Sequence, residues 1–206
     1  MIVLHHLNKS RSKRIIWLLE ELGVEYRIEP YQRDAQSNLA PPELKAIHSL
    51  GKSPVIEHNG RVIAESGAIT EYLCQQYRPD MIPESGSDDY IDYLQWMHFA
   101  ESSAILPLLL KMFVEKDGAK MNMLDQYAQV EVAKVMTYFN QRVTAGYLVG
   151  GQLTGADIMM SFIVDALHRG GALAMFPNLK AYHDFLAGLE KFQKAEALEA
   201  ELDKSI

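Results

Sequence analysis

Residues 51–73 read GKSPVIEHNGRVIAESGAITEYL, and this stretch decides the fold expected for the first part of the chain. Two short runs of strand-forming residues flank Asn59-Gly60, a dipeptide that favours a tight hairpin turn with positive φ. Pro54 stands at the start of the first run, where a sheet tolerates a residue without a backbone N–H. Glu65-Ser66 follows the second run and begins a segment with helical periodicity. The stretch therefore predicts strand, turn, strand and helix.

The same stretch also predicts a ligand site. A serine in the first turn of a helix offers a hydroxyl and unpaired backbone N–H groups to an anion. Ser66 is such a residue, and it follows a proline-led strand closely in the sequence. These features together suggest a pocket for an extended small molecule that carries a carboxylate.

The residues before this stretch predict two further strands and a helix. Ile2–His6 is a short strand-forming run, and Arg11–Leu22 carries an apolar stripe at helical spacing. Gly23 is placed to end that helix, and Tyr26–Tyr31 reads as a second strand, parallel to the first. A short helix is expected near residues 43–47. The predicted order to about residue 77 is β-α-β-α-β-β-α.

Beyond that point the sequence predicts helices alone. Residues 79–87 are rich in proline, glycine and polar side chains and are interpreted as a linker. Residues 88–206 contain about five helical patterns and no convincing strand. The first of these patterns spans residues 89–115 and contains Pro107, so we expect a kink or break in the turn before that proline.

Composition narrows the functional classes. The 206-residue chain has a formal net charge of −7, which argues against general attraction to nucleic acid or to an anionic membrane. Its one cysteine, Cys74, excludes an intrachain disulfide and is interpreted as a small buried hydrophobe. No signal peptide and no run long enough to span a membrane is expected, which predicts a cytoplasmic protein. The seven histidines show no paired spacing of metal ligands, so no metal site is expected.

Three motifs in this order resemble those of cytosolic glutathione transferases. Ser53-Pro54 and Glu65-Ser66 resemble the glutathione-binding motifs of their thioredoxin-like domain. Residues 7–14, LNKSRSKR, look like the first-turn motif of the serine-type classes, in which the catalytic serine stands four residues before an arginine. Residues 147–157, YLVGGQLTGAD, resemble the capping motif of the helical domain, which makes Thr154 and Asp157 a structural helix cap.

The resemblance covers the whole chain and implies an α+β fold. It divides the chain into a thioredoxin-like, glutathione-binding domain at residues 1–78, a linker at 79–87 and an all-α helical domain at 88–206. It also implies a homodimer. Glutathione is the implied co-substrate, and a small apolar electrophile is the implied second substrate.

The resemblance selects Ser10 as the catalytic residue. A thiol with a pKa of about 8.5 is only a few per cent thiolate near neutral pH. A hydroxyl that donates to the thiolate contributes roughly 1.5–3 kcal/mol, which lowers the thiol pKa by about 1–2. Asn8 and Ser12 stay open as alternative donors, and helix capping stays open as the role of either serine.

The resemblance also implies the roles of the glutathione-binding residues. Ser53, preceding cis-Pro54, would pair its backbone with the cysteinyl part of glutathione, as a strand added to an open edge. Glu65 and Ser66 would hold the γ-glutamyl ammonium and carboxylate, and Lys52 would meet the glycyl carboxylate. Simple helix capping is the alternative role of Glu65 and Ser66.

The second-substrate pocket is expected between the Ser10 loop and the first long helix. Its expected wall residues, for each of which ordinary helix packing is the alternative, are Phe99, Ser103, Leu106, Pro107 and Leu110. The predicted activity is conjugation of glutathione to apolar electrophiles. Glutathione-dependent peroxidase or isomerase activity is an alternative, as is a non-catalytic interaction protein that regulates transcription or assembles translation factors.

Overall fold

The computed structural model of the protein describes residues 1–118, 122–144 and 146–204. The chain divides into two compact units. One contains Met1–Ile82 together with the segment from Leu186 onward, and the other contains Pro83–Phe185. The chain passes from the first unit to the second after Ile82, within the predicted linker, and returns to the first unit at Leu186, where no boundary was predicted.

The first unit contains a four-stranded sheet with the predicted order of elements. These elements are β1 (Ile2–Leu7), α1 (Ser12–Leu22), β2 (Tyr26–Tyr31), α2 (Leu44–Ile47), β3 (Val55–His58), β4 (Arg61–Ala64) and α3 (Ser66–Tyr77). The strand order is β2-β1-β3-β4. β1 pairs with β2 in parallel, and β3 pairs antiparallel with both β1 and β4. The predicted β-α-β-α-β-β-α order and the parallel first pair are confirmed.

Local sequence signals account for the ends of these elements. Gly23 has φ +64°, and its N–H donates to the Leu19 carbonyl at 3.1 Å, so α1 ends where the glycine predicts. Asn59 and Gly60 have φ values of +51° and +74°, the positive values that a tight two-residue hairpin between β3 and β4 requires. The Ser53–Pro54 peptide is cis, as the resemblance implies.

The last helix, α9 (Glu190–Leu202), belongs to the first unit and packs against α1. Phe192 meets the Trp17 ring edge-on with centroids 5.0 Å apart, and Lys194 Nζ lies 2.7 Å from Glu20 Oε2. The division implied by the resemblance puts all of residues 88–206 in the helical domain. The structure differs, because α9 belongs to the unit that contains the sheet. Helical periodicity predicts an apolar face, but it does not say which element that face will cover.

The second unit is helical. Its helices are α4 (Asp88–Phe99), α5 (Ile105–Asp117), α6 (Asn122–Arg142), α7 (Gly155–Arg169) and most of α8 (Pro177–Ala187). A π-helical turn at Ala100–Ala104 joins α4 to α5. Pro107 has no N–H to donate to the turn before it, so the predicted break is confirmed. The sequence also shows a helical pattern over residues 121–142, and its first residue, Met121, lies outside the described residues.

One helical run passes a simple test for a membrane span. Within the described ranges, Asp88–Asp117 alone has the necessary length and composition, with a mean hydropathy of 1.3 over its most apolar window. No run of this length was expected from the sequence, and the exception is the helical pattern that contains Pro107. A core helix of a soluble protein passes the same test, so the run is weak evidence for a membrane.

The predicted capping box at the start of α7 is confirmed, and it extends into a buried network. Thr154 N–H and Oγ1–H donate to Asp157 Oδ2 at 3.0 and 3.2 Å. Leu148 N–H and the Tyr182 hydroxyl donate to Asp157 Oδ1, each at 2.9 Å. Four donors therefore converge on one fully buried carboxyl group. Burial raises the pKa of Asp157 to about 6, and the four donors oppose that shift.

We predict that at pH 4 Asp157→Asn lowers the free energy of unfolding by about 2–4 kcal/mol, because the amide nitrogen would face two donors and leave them unpaired. Equilibrium unfolding in urea measures this loss. Asp184→Asn is the matched control, because Asp184 pairs with Lys180 on the surface of α8 and such pairs contribute less than about 1 kcal/mol. Equal losses in the two variants would contradict the role given to Asp157.

The advantage of the wild type over Asp157→Asn should also depend on pH. The raised pKa means that the folded protein binds a proton more tightly than the unfolded chain, whose aspartate pKa is about 3.9. The stabilisation is therefore complete below about pH 4 and is lost as the pH rises through about 6. The difference between wild type and variant should shrink by an amount on the order of 3 kcal/mol across this window. A difference that is constant or grows from pH 4 to pH 7 would contradict the shift.

Candidate active site

Ser10 lies in the loop between β1 and α1, with only 6% of its surface exposed. Its Oγ accepts the Ser12 N–H at 3.2 Å and lies 2.7 Å from Ser12 Oγ. Its carbonyl accepts the Lys13 N–H at 3.2 Å. Ser10 thus supports the first turn of α1 and also brings a hydroxyl to the positive end of an eleven-residue helix. Capping and anion stabilisation are compatible at this position.

Ser12 is fully buried and bonds to protein groups. Its Oγ lies 2.8 Å from His6 Nδ1 and accepts the Leu7 N–H at 3.2 Å. The Leu7 carbonyl, also at 3.2 Å, is a further acceptor for its hydrogen. Ser12 therefore connects the Ser10 loop to the end of β1, and these partners occupy the hydroxyl that would otherwise be free to meet a ligand.

Asn8 fastens the same loop to two other parts of the first unit. Its Nδ2 donates to Asp203 Oδ1 at 2.8 Å, and its Oδ1 accepts the Arg33 N–H at 2.8 Å. Arg33 Nε also donates to the Asn8 carbonyl at 3.1 Å. Both ends of the buried amide are therefore engaged by the protein, which favours a structural role for Asn8 over donation to a thiolate.

Arg14, the arginine of the first-turn motif, contacts the start of α3. Its buried guanidinium donates from Nη2 to Ser66 Oγ, which is itself 4% exposed. The carbonyl of Ser66 accepts from Thr70 Oγ1 at 2.8 Å. The motif spacing singles out Arg14 beside Ser10, but it gives no indication that its partner is Ser66.

Glu65, directly before α3, has a backbone conformation uncommon for its residue type. Its φ of +68° is in the region that favours glycine, and such residues cost about 1–3 kcal/mol. The Glu65 side chain is exposed and makes no capping hydrogen bond to the helix. Strain of this kind clusters at ligand sites, so the geometry favours binding over simple capping for Glu65.

Ser53 is tied to the end of β1 by its side chain. Its Oγ accepts the Leu7 N–H at 3.1 Å and donates to the His5 carbonyl at 2.8 Å. Within the part of the chain that the structure describes, its own backbone N–H and C=O make no backbone hydrogen bond. Pro54 next to it is buried, and Lys52 is exposed. Ser53 thus presents backbone groups just before the start of β3, an inner strand of the sheet.

The second unit contains a cavity of about 260 Å³ between α4 and α6. It is lined by Asp92, Gln95, Trp96, His98, Phe99, Ser102, Ser103, Tyr138 and Arg142. Phe99 and Ser103 are two of the five wall residues predicted from the sequence. The other three do not line it: on α5, Leu106 is exposed, Pro107 is buried and Leu110 is half-buried.

Sequence reasoning missed several residues of this cavity. Trp96 and Tyr138 supply aromatic walls with centroids 6.4 Å apart, and Arg142 Nη2 lies 3.2 Å from Asp92 Oδ1 at its edge. Trp96 is 5% exposed and packs in the core beside the cavity. No spacing signal links α4 with α6, so their pairing could not be read from the sequence.

The described residues were also examined for metal ligands and for a reactive cysteine. Among the residues described, no group of three or more His, Cys, Asp or Glu side chains is arranged to hold a metal ion. Cys74 is fully buried, and burial raises the pKa of its thiol to about 12. Its interpretation as a small buried hydrophobe is confirmed, because a thiol with that pKa is not a nucleophile near neutral pH.

Comparisons with known proteins agree with this geometry. The family model for the glutathione S-transferase N-terminal domain matches residues 1–75, and that for the C-terminal domain matches residues 105–196. The chain is 35% identical over 185 residues to glutathione S-transferase 1 of Saccharomyces cerevisiae, which covers 79% of each chain. A crystal structure of a glutathione S-transferase from Actinobacillus pleuropneumoniae is 32% identical, with a TM-score of 0.87 and coverage of 97% of this chain and 93% of that one.

Two further matches are more distant. A glutathione transferase homologue from Lodderomyces elongisporus, solved with two glutathione molecules per subunit, is 21% identical over 96% of this chain and 98% of its own, with a TM-score of 0.82. A probable elongation factor 1-gamma from Arabidopsis thaliana is 28% identical over 94% of this chain and 48% of its own.

The chain belongs to the cytosolic glutathione S-transferase family. Its thioredoxin-like sheet and helical domain are the fold of that family, and it is a glutathione transferase with glutathione as co-substrate.

We predict that Asn8→Ala lowers the free energy of unfolding by about 2–3 kcal/mol, because it empties a buried position and leaves the Arg33 N–H and the Asp203 carboxylate without this partner. Urea unfolding followed by far-ultraviolet circular dichroism measures the loss. Gln36→Ala, at an exposed position after β2, is the control and should change stability by less than about 0.5 kcal/mol. A stable Asn8→Ala protein with a raised pKa for the thiol of bound glutathione would instead make Asn8 the thiolate donor.

Proposed function

We propose that this protein activates the thiol of glutathione as a thiolate for attack on apolar electrophiles, with Ser10 as the donor to the thiolate. The observation that supports the proposal most strongly is a shared backbone donor. The Leu7 N–H reaches Ser53 Oγ at 3.1 Å and Ser12 Oγ at 3.2 Å, and Ser12 Oγ contacts Ser10 Oγ at 2.7 Å. Ser53 and the proposed catalytic hydroxyl of Ser10 are therefore joined by one continuous set of hydrogen bonds.

In this proposal the segment just before β3 holds the tripeptide. The backbone of Ser53, before Pro54, pairs with the cysteinyl residue in the manner of an added strand. Lys52, which is exposed, pairs with the glycyl carboxylate. In this pose the cysteinyl backbone is fixed at Ser53, and the cysteinyl side chain lies toward Ser10. The attacking atom is the sulfur of glutathione, not an atom of the protein.

The start of α3 holds the γ-glutamyl end. Ser66 and the first N–H groups of α3 bind its carboxylate, since a helix N-terminus favours an anion. The bond from Arg14 to Ser66 orients the serine hydroxyl and adds positive charge beside that carboxylate. The exposed carboxylate of Glu65 pairs with the γ-glutamyl ammonium.

Ser10 lowers the thiol pKa because its hydrogen bond is made to the thiolate and not to the neutral thiol. Such a bond contributes roughly 1.5–3 kcal/mol, and the N-terminus of α1 adds about 0.3–1 kcal/mol in the same direction. Together these terms make thiolate the main form near pH 7. Ser12 acts through Ser10, and the side chain of Asn8 holds the loop in place.

The second substrate is proposed to be a small apolar electrophile. Phe99 and Ser103, which line the cavity of the second unit, are the best supported of the five wall residues predicted for its pocket. Peroxidase and isomerase reactions would use the same thiolate. A homodimer in the cytoplasm completes the proposal, on the family resemblance.

The match to elongation factor 1-gamma supports one rival, a transferase-like interaction protein. The two functions differ in their need for glutathione. Retention on immobilised glutathione, followed by an assay with an aryl halide, separates them. An interaction protein would show neither retention nor turnover.

We predict that Ser10→Ala lowers turnover with an aryl halide at pH 7 by about 10-fold or more, because the thiolate loses a charge-assisted hydrogen bond. The ultraviolet absorbance of the bound thiolate, followed across pH, should show the thiol pKa rising by about 1–2.

Ser87→Ala is the matched control for this prediction. Ser87 accepts the Tyr90 N–H at 3.1 Å at the start of α4, so the same change removes a helix cap in the other unit and should leave the thiol pKa unchanged. Equal thiolate formation in Ser10→Ala and wild type would remove Ser10 from the mechanism.

A further inference from the structure

A line of short polar contacts connects Ser10 to the last helix. Ser10 Oγ lies 2.7 Å from Ser12 Oγ, which lies 2.8 Å from His6 Nδ1. His6 Nε2 lies 2.7 Å from Glu199 Oε2, at angles outside those of a hydrogen bond. His6 and Ser12 are fully buried, and the Glu199 side chain is 13% exposed. The line therefore runs through the interior from α9 to the proposed catalytic hydroxyl.

Counting hydrogens limits how this line can be arranged. A serine hydroxyl has one hydrogen to donate and two lone pairs with which to accept. One lone pair of Ser12 accepts the Leu7 N–H at 3.2 Å. Ser12 is therefore left with one hydrogen and one accepting position for three neighbours: His6 Nδ1, Ser10 Oγ and the Leu7 carbonyl at 3.2 Å. The direction of the bond to Ser10 consequently depends on what His6 presents.

His6 can present two states at Nδ1. The Glu199 carboxylate at 2.7 Å requires a hydrogen on Nε2, since two facing acceptors would repel each other. If Nδ1 also carries a hydrogen, the ring is an imidazolium beside Glu199, and its Nδ1–H fills the second lone pair of Ser12. Ser12 then donates to Ser10 or to the Leu7 carbonyl, and in either case the Ser10 hydrogen is free for a thiolate. If Nδ1 is bare, Ser12 donates to His6, and the open lone pair of Ser12 competes with the thiolate for the Ser10 hydrogen.

We propose that His6, held by Glu199, is a positioning residue that keeps a hydrogen on Nδ1 and thereby directs the Ser10 hydroxyl toward the glutathione thiolate. This inference rests on the proposed function of Ser10. The bound thiolate favours the same arrangement, because it is the acceptor for the Ser10 hydrogen that this arrangement leaves free. His6 itself touches neither glutathione nor the electrophile in this account.

The charged groups around His6 fit this arrangement. Glu199, on α9, is the carboxylate that meets its ring, and its other oxygen accepts the Lys9 N–H at 2.9 Å. The nearby ammonium groups have their own carboxylate contacts. Lys9 Nζ lies 3.5 Å from Asp203, and Lys13 Nζ lies 2.5 Å from Glu196. On β2, the residue opposite His6 is the uncharged Pro30.

The test compares His6→Leu with His6→Asn. Leucine removes the donor at Nδ1, whereas the amide of asparagine can place an N–H near the same point. We expect the pKa of the bound glutathione thiol, measured by thiolate absorbance, to rise by about 1 in His6→Leu and to return most of the way in His6→Asn. Turnover at pH 7 should fall about 5- to 10-fold in His6→Leu, with glutathione affinity unchanged within about twofold.

His58→Leu is the matched control. His58 is also a buried strand histidine, with its two ring nitrogens bonded to Tyr72 and Tyr77, and it lies outside the line to Ser10. Its replacement should leave the thiol pKa at the wild-type value. A rise equal to that of His6→Leu would show a general effect of losing a buried histidine and would overturn the proposal.

A double variant separates this inference from the proposed function. In Ser10→Ala/His6→Leu the thiol pKa should equal that of Ser10→Ala alone, because His6 acts only through Ser10. If Ser10→Ala leaves the thiol pKa unchanged, the proposed function fails. If Ser10→Ala raises it but His6→Leu does not, or if the two effects add, the positioning role alone is overturned.

A measurement on the wild type avoids any variant that fails to fold. Nitrogen-15 NMR of the histidine rings, in the complex with glutathione at pH 7, distinguishes a protonated from a bare ring nitrogen. A hydrogen on Nδ1 of His6 is the expected result. A bare Nδ1 in the complex would overturn the proposal.

Discussion

The proposed active site depends on one backbone N–H, that of Leu7 at the end of β1. It is shared between Ser53 Oγ at 3.1 Å and Ser12 Oγ at 3.2 Å. Through Ser53 it fixes the segment before β3 that is proposed to hold the cysteinyl backbone, and through Ser12 it fixes the neighbour of Ser10. Because the two hydroxyl groups converge on one donor, moving the end of β1 would disturb both parts of the site together.

The C-terminal helix supports this arrangement from the other side. Packing of Phe192 on Trp17 and the ion pairs between α9 and α1 keep α9 within the first unit. Glu199 then meets His6, and Asp203 accepts from the Asn8 amide. α9 follows the helical domain in the sequence, yet its side chains contact the loop after β1. The stability of α9 and the geometry of that loop are therefore coupled.

The structural features that could be predicted correctly have signals formed by residues close together in the sequence. Gly60 in the hairpin and the capping box at Asp157 each have a signature within a few positions, and both are found as predicted. The contacts that could not be predicted join distant residues. His6 and Glu199 stand 193 positions apart, and no period or spacing links them. The roles of Ser10, Ser53 and Ser66 are implied by the resemblance. The structure adds the hydrogen-bond partners of each of these serines.

The thiol pKa of glutathione bound to the wild-type protein tests the central claim most directly. Glutathione labelled with carbon-13 at the cysteinyl Cβ reports the ionisation of its own sulfur, so the chemical shift followed across pH gives the pKa in the complex. The account predicts a midpoint at or below about 7, since the hydrogen bond lowers the thiol pKa by about 1–2 and the N-terminus of α1 lowers it further by a few tenths. A midpoint at or above about 8.5, the value for a free thiol, would contradict it.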